Sequence, residues 1–142
     1  MQGNGSFLVN LLEITSMTIY SGHAIFAVMF TYLNGTQEVF GNRKSNFITQ
    51  INTVSLVNRY ISAFHLNAAS WIDSFQFELT NTLTRQVTVT SRWGGQGGNP
   101  YSISAPILAP DSFYFEINQF SGIFDEVCMR QWKINYYFIL CE

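Results

Sequence analysis

The sequence predicts an all-β domain made of three antiparallel sheets, and two observations indicate this fold. First, β-branched and aromatic residues recur at every second position in short runs that Gly, Asn and Ser interrupt. Second, one pattern of two strands recurs three times along the 142 residues. No segment shows a sustained helical period, so we expect strands throughout.

Two segments show the strand pattern clearly. Residues 25–32 form an apolar run that ends just before the turn-forming pair Asn34 and Gly35. Residues 86–90 alternate polar and β-branched side chains, as a strand with one buried face does. Both runs therefore predict strands of antiparallel sheets.

The repetition predicts how the strands are grouped. Bulky apolar residues take matching offsets in the second strand of each copy, with Ile72 following Ile25 by 47 residues and Phe124 following Ile72 by 52. The unit is about one-third of the chain, so we predict one domain over residues 1–142, with repeats at about 14–56, 60–104 and 113–142. The aligned residues are Ile25, Val28 and Phe30, then Ile72, Phe75 and Phe77, then Phe124, Val127 and Met129.

A small sheet cannot bury its apolar face by itself. Three such sheets can close around a shared axis and form a triangular prism with pseudo-threefold symmetry and one core. A two-sheet sandwich is the alternative, but it gives no reason for a pattern that repeats in thirds of the chain.

Composition narrows the classes of function. The net charge is −2 with seven Lys and Arg, which does not predict a nucleic-acid-binding surface. No run reaches the roughly 20 apolar residues of a membrane span. We recognise no secretory signal, so a cytoplasmic location is expected, with secretion open if a leader was removed before residue 1. Cys128 and Cys141 provide neither a disulfide framework nor four zinc ligands, so we expect no metal and no cofactor.

Five segments carry a resemblance to a known family. They are a glycine-rich N-terminal strand, a strand pair with a Ser-Gly turn and an Asn-Gly hairpin, a second strand pair, a Gly-rich bend and a late Ser-Gly loop, at residues 3–7, 19–35, 58–77, 93–101 and 121–127. In this order they resemble the jacalin-related lectins over nearly the whole chain. The resemblance implies an all-β, type I β-prism of three Greek-key sheets, in which the N-terminal strand, residues 2–9, completes the third sheet.

The resemblance also implies a carbohydrate site at one end of the prism, held by the late loop and the N-terminal glycine turn. Asp125 would accept hydrogen bonds from neighbouring sugar hydroxyls, and the backbone N–H groups of Ile123 and Phe124 would donate to their oxygens. Gly5 and Gly122 would let the backbone approach closely, and the Phe124 ring could add a stacking face. The loop has two residues between its Gly and Asp, where the family has three. The alternative is therefore an Asp125 that caps its own loop.

A second candidate site lies in the middle repeat. Asp73 takes the position that we assign to Asp125 in the last repeat, with Trp71 close by as a stacking face, whereas the first repeat has Phe26 there. The alternative is a buried Trp and a surface Asp at the start of a strand.

The predicted function is binding of a glycan or glycoprotein without catalysis. His23 and His65 lie in different repeats with no nucleophile motif beside them, and the Gly-rich bend at 93–98 precedes no helix that would hold a nucleotide phosphate. The alternative is a structural or adaptor subunit with a degenerate sugar site. Its apolar tail, residues 136–141, would dock in a homo-oligomer or a larger assembly.

Overall fold

The computed structural model describes residues 5–104 and 113–140, and the regular secondary structure of these residues is almost entirely strand. A single 3-10 turn, Leu11–Glu13, follows the first strand, which confirms the all-β class. No helix in this part of the chain is long and apolar enough to cross a membrane. The strands are β1 Gly5–Asn10, β2 Ile14–Ser21, β3 Ile25–Tyr32, β4 Gln37–Gly41, β5 Gln50–Ser55, β6 Arg59–Ala68, β7 Ile72–Asn81, β8 Val87–Val89, β9 Trp93–Gly94, β10 Asn99–Ser104, β11 Phe113–Phe124 and β12 Met129–Leu140.

The strands form three panels with the same order of neighbours. The first panel runs β4-β3-β2-β5, and the second runs β8-β7-β6-β10, with β9 also paired to β7. The third panel runs β12-β11-β1. One pair of residues, Ile61 and Ile117, joins the second and third panels into a continuous sheet. The molecule is a type I β-prism with pseudo-threefold symmetry, as the repetition predicts.

One apolar core lies on the axis between the panels. Alternate residues of each panel point inward, as the two-residue period of a strand requires. Phe7 of the third panel stacks on Phe40 of the first with ring centroids 5.0 Å apart, and Phe64 of the second lies 5.1 Å from Phe120 of the third. Each panel thus buries its apolar face against the other two.

The register corrects the alignment of the third repeat. The pairs Ser21–Ile25, Ala68–Ile72 and Phe124–Met129 each follow a register shift at the same end of their hairpins. The second strands therefore begin at Ile25, Ile72 and Met129, and the prediction that aligned Phe124 with Ile72 is wrong.

The cause of this error is the loop between the paired strands. That loop is three residues long in the first two panels, 22–24 and 69–71, and four residues long in the third, 125–128. The position after the first residue of the second strand holds Phe26, Asp73 and Arg130 in the three panels. Asp73 is consequently equivalent to Arg130 and not to Asp125.

The first and the last described strand both belong to the third panel. β1 pairs with β11 from Gly5–Phe124 to Asn10–Gln119, while residues 2–4 of the predicted N-terminal strand lie outside the described residues. β12 pairs with β11 as far as Phe113–Leu140, so the backbone of the apolar tail is part of the sheet up to residue 140. Cys141 lies outside the described residues.

Candidate functional site

Four loops meet at one end of the prism, which we call the loop end. They are residues 22–24, 69–71 and 125–128, which join the first two strands of each panel, and the Gly-rich residues 94–98. Contacts between panels hold them together. The Asn42 side chain of the first panel donates to the Glu126 carbonyl of the third at 2.8 Å, and Arg130 Nη1 lies 3.4 Å from the Ser70 carbonyl of the second.

The Asp125 carboxylate organises the third loop. Its Oδ1 accepts hydrogen bonds from the backbone N–H groups of Val127 at 2.8 Å and Cys128 at 3.0 Å. Its Oδ2 accepts one from Arg130 Nε at 2.5 Å. The side chain keeps 26 % of its surface exposed, and one acceptor position, on Oδ2, is left unused by these three hydrogen bonds. Asp125 caps its own loop and also faces solvent beside a cation.

These contacts set the charge of the carboxylate. Burial by itself would raise the pKa of Asp125, but the backbone N–H groups of Cys128 and Val127 and the Arg130 guanidinium outweigh it. The pKa of Asp125 therefore lies below its ordinary value. The group is ionised at neutral pH and is the hydrogen-bond acceptor that a hydroxyl-rich ligand needs.

The other residues of the first predicted site lie in paired strand. Ile123 and Phe124 belong to β11 and have partners in both β1 and β12, so the open loop begins only at Asp125. The Phe124 ring is buried beneath Gly5, where a Cβ would lie 2.8 Å from its Cζ, and it presents no stacking face. A Cβ on Gly122 would lie 2.7 Å from the Phe7 ring, so the ring fills the space that this glycine leaves.

In the second predicted site, the burial of the two residues is the opposite of the alternative interpretation, in which Trp71 is buried and Asp73 lies on the surface. Trp71 is 36 % exposed, and Asp73 is only 6 % exposed. The indole Nε1 of Trp71 donates to Asp73 Oδ1 at 2.9 Å, which fixes the ring at the loop end. Trp71 thus presents part of its ring to solvent, whereas Asp73 is buried and holds the indole through this hydrogen bond.

The Gly-rich bend packs around Asp73. The N–H of Gly95 donates to the Asp73 carbonyl at 2.8 Å. A Cβ on Gly98 would lie 2.3 Å from Asp73 Oδ2, and one on Gly95 would lie 2.1 Å from the His23 carbonyl oxygen. Glycine is required here because two other loops approach its backbone. The bend joins β9 and β10 of the same panel, so the interpretation of this segment as a bend between sheets is wrong.

Arg130 joins the two predicted sites, although the sequence interpretation did not select it. Its guanidinium contacts Asp125 on one side and lies 5.8 Å from the centroid of the Trp71 ring on the other. The signal that would have found it is its equivalence to Asp73, which becomes visible only once the longer third loop is recognised. Asp125, Arg130 and Trp71 form one continuous surface, which we call the Asp125–Trp71 surface.

A second group of side chains escaped the sequence interpretation. On the outward face of the second panel, His65 Nδ1 lies 2.8 Å from Ser102 Oγ and its Nε2 lies 2.6 Å from Glu78 Oε2. These residues come from three adjacent strands, β10, β6 and β7, and link them through side chains. Among the described residues, no three His, Cys, Asp or Glu side chains are arranged to hold a metal ion.

No protein-family model and no curated protein matches the chain. Solved structures do match. A mannose-binding jacalin-related lectin from Ananas comosus is 19% identical, with a TM-score of 0.64 over 99% of this chain and 91% of that one. The chain has the fold of the jacalin-related lectins.

Other structures with this fold extend the comparison. A galactose-specific lectin from Artocarpus hirsuta, solved with methyl-α-D-galactose, is 17% identical, with a TM-score of 0.64 over 92% of this chain and 97% of that one. A prostate-specific glycoprotein lectin is 11% identical, with a TM-score of 0.67 over 96% and 93%. The jacalin-like fold of this chain therefore extends over nearly its whole length.

Proposed function

We propose that the protein is a carbohydrate-binding module and that the Asp125–Trp71 surface is where the glycan binds. The observation that carries the proposal is the position of Arg130, which brings an ionised acceptor, a cationic donor and an exposed indole together at the loop end. The likeness in fold to a mannose-binding lectin and a galactose-specific lectin supports it.

The chemistry of this surface suits a pyranose ring. Asp125 has one acceptor position left, on Oδ2, after its three internal hydrogen bonds and can receive a sugar hydroxyl there. Arg130 uses Nε and Nη1 inside the protein, and its remaining N–H groups can donate to sugar oxygens. The exposed Trp71 ring can cover the apolar face of the sugar. Gly5, Gly122, Ile123 and Phe124 lie in the paired strands next to the loop and, in this proposal, do not contact the glycan.

The proposed activity is binding without chemical change of the glycan. His65, Ser102 and Glu78 lie on the outward face of the second panel, and their hydrogen bonds join three strands. This arrangement is accounted for by cross-strand stabilisation.

The test is calorimetric titration with methyl α-mannoside and methyl α-galactoside, together with a glycan array. We expect binding that Trp71→Ala and Asp125→Asn each weaken by about tenfold or more, since each removes a charge-assisted or aromatic contact. Asp125→Asn keeps an oxygen for the backbone N–H groups of the loop, so that the fold is preserved.

Leu83→Ala is the matched control for Trp71→Ala, and Glu13→Gln is the control for Asp125→Asn. Both control residues are exposed and lie away from the Asp125–Trp71 surface. Absence of glycan binding at millimolar concentration would refute the proposal. Equal affinity of Trp71→Ala and the parent chain for the glycan would show that the glycan binds at another surface. Release of free sugar from the ligand would contradict binding without catalysis.

The structural-subunit alternative loses its main support. It depended on an apolar tail with no cover, and the backbone of that tail is hydrogen-bonded to β11 up to Leu140. A glycan or glycoprotein partner is the interaction that the loop end favours.

A further inference from the structure

Three aromatic side chains cross the loop end from the second panel to the first. Trp71 lies in the loop that joins β6 and β7, His23 in the loop that joins β2 and β3, and Phe47 in the loop that joins β4 and β5. The ring centroids of Trp71 and His23 are 6.3 Å apart, and those of His23 and Phe47 are 5.4 Å apart. We call these three side chains the aromatic row.

All three side chains of the aromatic row reach solvent. Trp71 is 36 % exposed and Phe47 is 65 % exposed, and His23 between them is also exposed. The planes of His23 and Phe47 meet at 75° and those of His23 and Trp71 at 72°, so neither pair is stacked face to face. Exposed apolar side chains that lie together, unlike scattered single ones, are typical of binding sites.

The loop that carries Phe47 is held against the rest of the loop end. A Cβ on Gly22 would lie 2.1 Å from the Phe47 carbonyl oxygen, so the loop backbone lies directly on this glycine. The next residue, Ile48, packs against the buried cluster that contains Phe26. The Phe47 ring lies 6.4 Å from the Phe26 ring, with their planes 24° apart. The position of Phe47 is therefore set before any ligand arrives, which lowers the entropy lost on binding.

Trp71 belongs both to the aromatic row and to the Asp125–Trp71 surface. The Arg130 guanidinium lies 5.8 Å from the centroid of the Trp71 ring, and the His23 ring lies 6.3 Å from it. Each of these steps is about the width of one pyranose ring. The two surfaces together therefore offer more contact than one sugar can cover, and a sugar held by Asp125 and Arg130 would leave Phe47 open.

The first panel offers a different chemistry from the third. Phe26, which is buried, takes the position that Arg130 has in the third panel. The exposed Phe47 ring can cover the apolar C–H face of a pyranose, and a ring nitrogen of His23 can form a hydrogen bond with a hydroxyl. This part of the loop end suits a sugar unit that is held by stacking and hydrogen bonding.

We infer that the ligand of the loop end is an oligosaccharide and that the aromatic row holds its second sugar unit. This inference rests on the proposed binding of a glycan at the Asp125–Trp71 surface. The first unit lies at Asp125, Arg130 and Trp71, and the next lies against Phe47 through its apolar face, with a hydroxyl at His23. The ligand class is a chain of at least two linked pyranoses.

The test compares ligands of one and two sugar units by calorimetric titration of the full chain. Methyl α-mannoside is paired with the methyl mannobiosides of each linkage, and methyl α-galactoside with the methyl galactobiosides. At least one disaccharide is expected to bind about tenfold more tightly than its monosaccharide, because the second unit adds a stacking contact and a hydrogen bond. We call this ratio of affinities the disaccharide gain.

Substitutions of Phe47 test the source of the disaccharide gain. Phe47→Ser should reduce the gain to about twofold or less, since the aromatic face is lost. Phe47→Tyr should keep the gain because the ring remains. Leu33→Ser is the matched control, since Leu33 is 68 % exposed and follows β3 at the opposite end of the prism, and it should also keep the gain.

Nuclear magnetic resonance gives a second measurement. The imidazole proton signals of His23 should shift when the disaccharide is added, whereas those of His65 should not. His65 is the internal control because it lies on the outward face of the second panel, in hydrogen bonds with Ser102 and Glu78. The His23→Gln variant assigns the two sets of signals.

The outcomes separate this inference from the proposed function. Absence of binding by every monosaccharide and disaccharide at millimolar concentration would overturn both. If the methyl glycosides bind and no disaccharide binds more tightly, glycan binding stands and the role of the aromatic row is overturned. The same conclusion follows if Phe47→Ser keeps the full disaccharide gain, or if the His23 signals do not shift.

Discussion

Asp125 shows how one carboxylate can shape a loop and also keep part of its surface open to solvent. Its Oδ1 holds two backbone N–H groups, and its Oδ2 holds Arg130, so the loop has its form before any ligand arrives. A preformed site loses less conformational entropy on binding. Both interpretations made from the sequence, a ligand acceptor and a loop cap, are compatible with this geometry.

Asp125→Asn should destabilise the fold at neutral pH by about 1 kcal/mol, since it removes the charge from a partly exposed pair. The pKa of Asp125 is lowered in the folded state, so the stability that its charge contributes is complete above the ordinary value of about 4. That contribution is lost as the pH falls through the lowered pKa. Urea unfolding between pH 7 and pH 2 should therefore show the parent chain and the variant converging in acid, and a constant difference would contradict the assignment.

At the scale of elements, the Gly-rich bend fits between two loops because it lacks side chains. Gly95 lies against the His23 carbonyl and Gly98 against the Asp73 carboxylate, so the bend connects the first and second panels at the loop end. A small side chain here has no free space to enter. The bend therefore positions the indole of Trp71 indirectly, through the aspartate that accepts its hydrogen bond.

Gly95→Ala should cost about 2 kcal/mol or more, because its Cβ would lie 2.1 Å from a backbone oxygen and the loops must separate. Gly35→Ala is the matched control. Gly35 has φ +88°, and a Cβ added there would meet no atom within 4 Å, so only the backbone conformation is penalised, by about 1 kcal/mol. Thermal and urea unfolding of the two variants measure the difference, and a smaller loss for Gly95→Ala would be inconsistent with this packing.

Prediction from the sequence failed at the scale of elements, in the alignment of the third repeat. The first two panels were located because their strands and three-residue loops repeat closely. The third was misaligned because Phe124, Val127 and Met129 preserve the apolar spacing across a loop that is one residue longer. The importance of Arg130 could not emerge from a misaligned repeat, and the contact between Arg130 and Trp71 joins residues 59 positions apart in the chain.

At the scale of the whole molecule, aromatic side chains join the panels into one core. The Phe64 ring lies 4.9 Å from those of Phe75 and Phe77 in its own panel. It also lies 5.1 Å from Phe120 and 6.2 Å from Trp132 in the third panel. Because the panels share these rings, none has a separate core, and cooperative unfolding is expected.

Phe64→Ala should lower the free energy of unfolding by about 3–5 kcal/mol, since it removes a fully buried ring at the centre of the core. Tryptophan fluorescence and far-ultraviolet circular dichroism should report one coincident transition in both chains. Val89→Ala, at a side chain that is 54% exposed, should change stability by less than about 0.5 kcal/mol. Two separate transitions would show that the panels fold independently.

The residues at the three equivalent positions of the loop end differ, and this difference affects how many glycans one chain can bind. Phe26 is 1% exposed and Asp73 is 6% exposed, whereas the Arg130 side chain is 31% exposed. Of these three, only the position in the third panel presents a charged group to solvent. A chain that binds a glycan at this position has one such site. A monomer should therefore attach to a glycosylated cell without cross-linking it to a second cell.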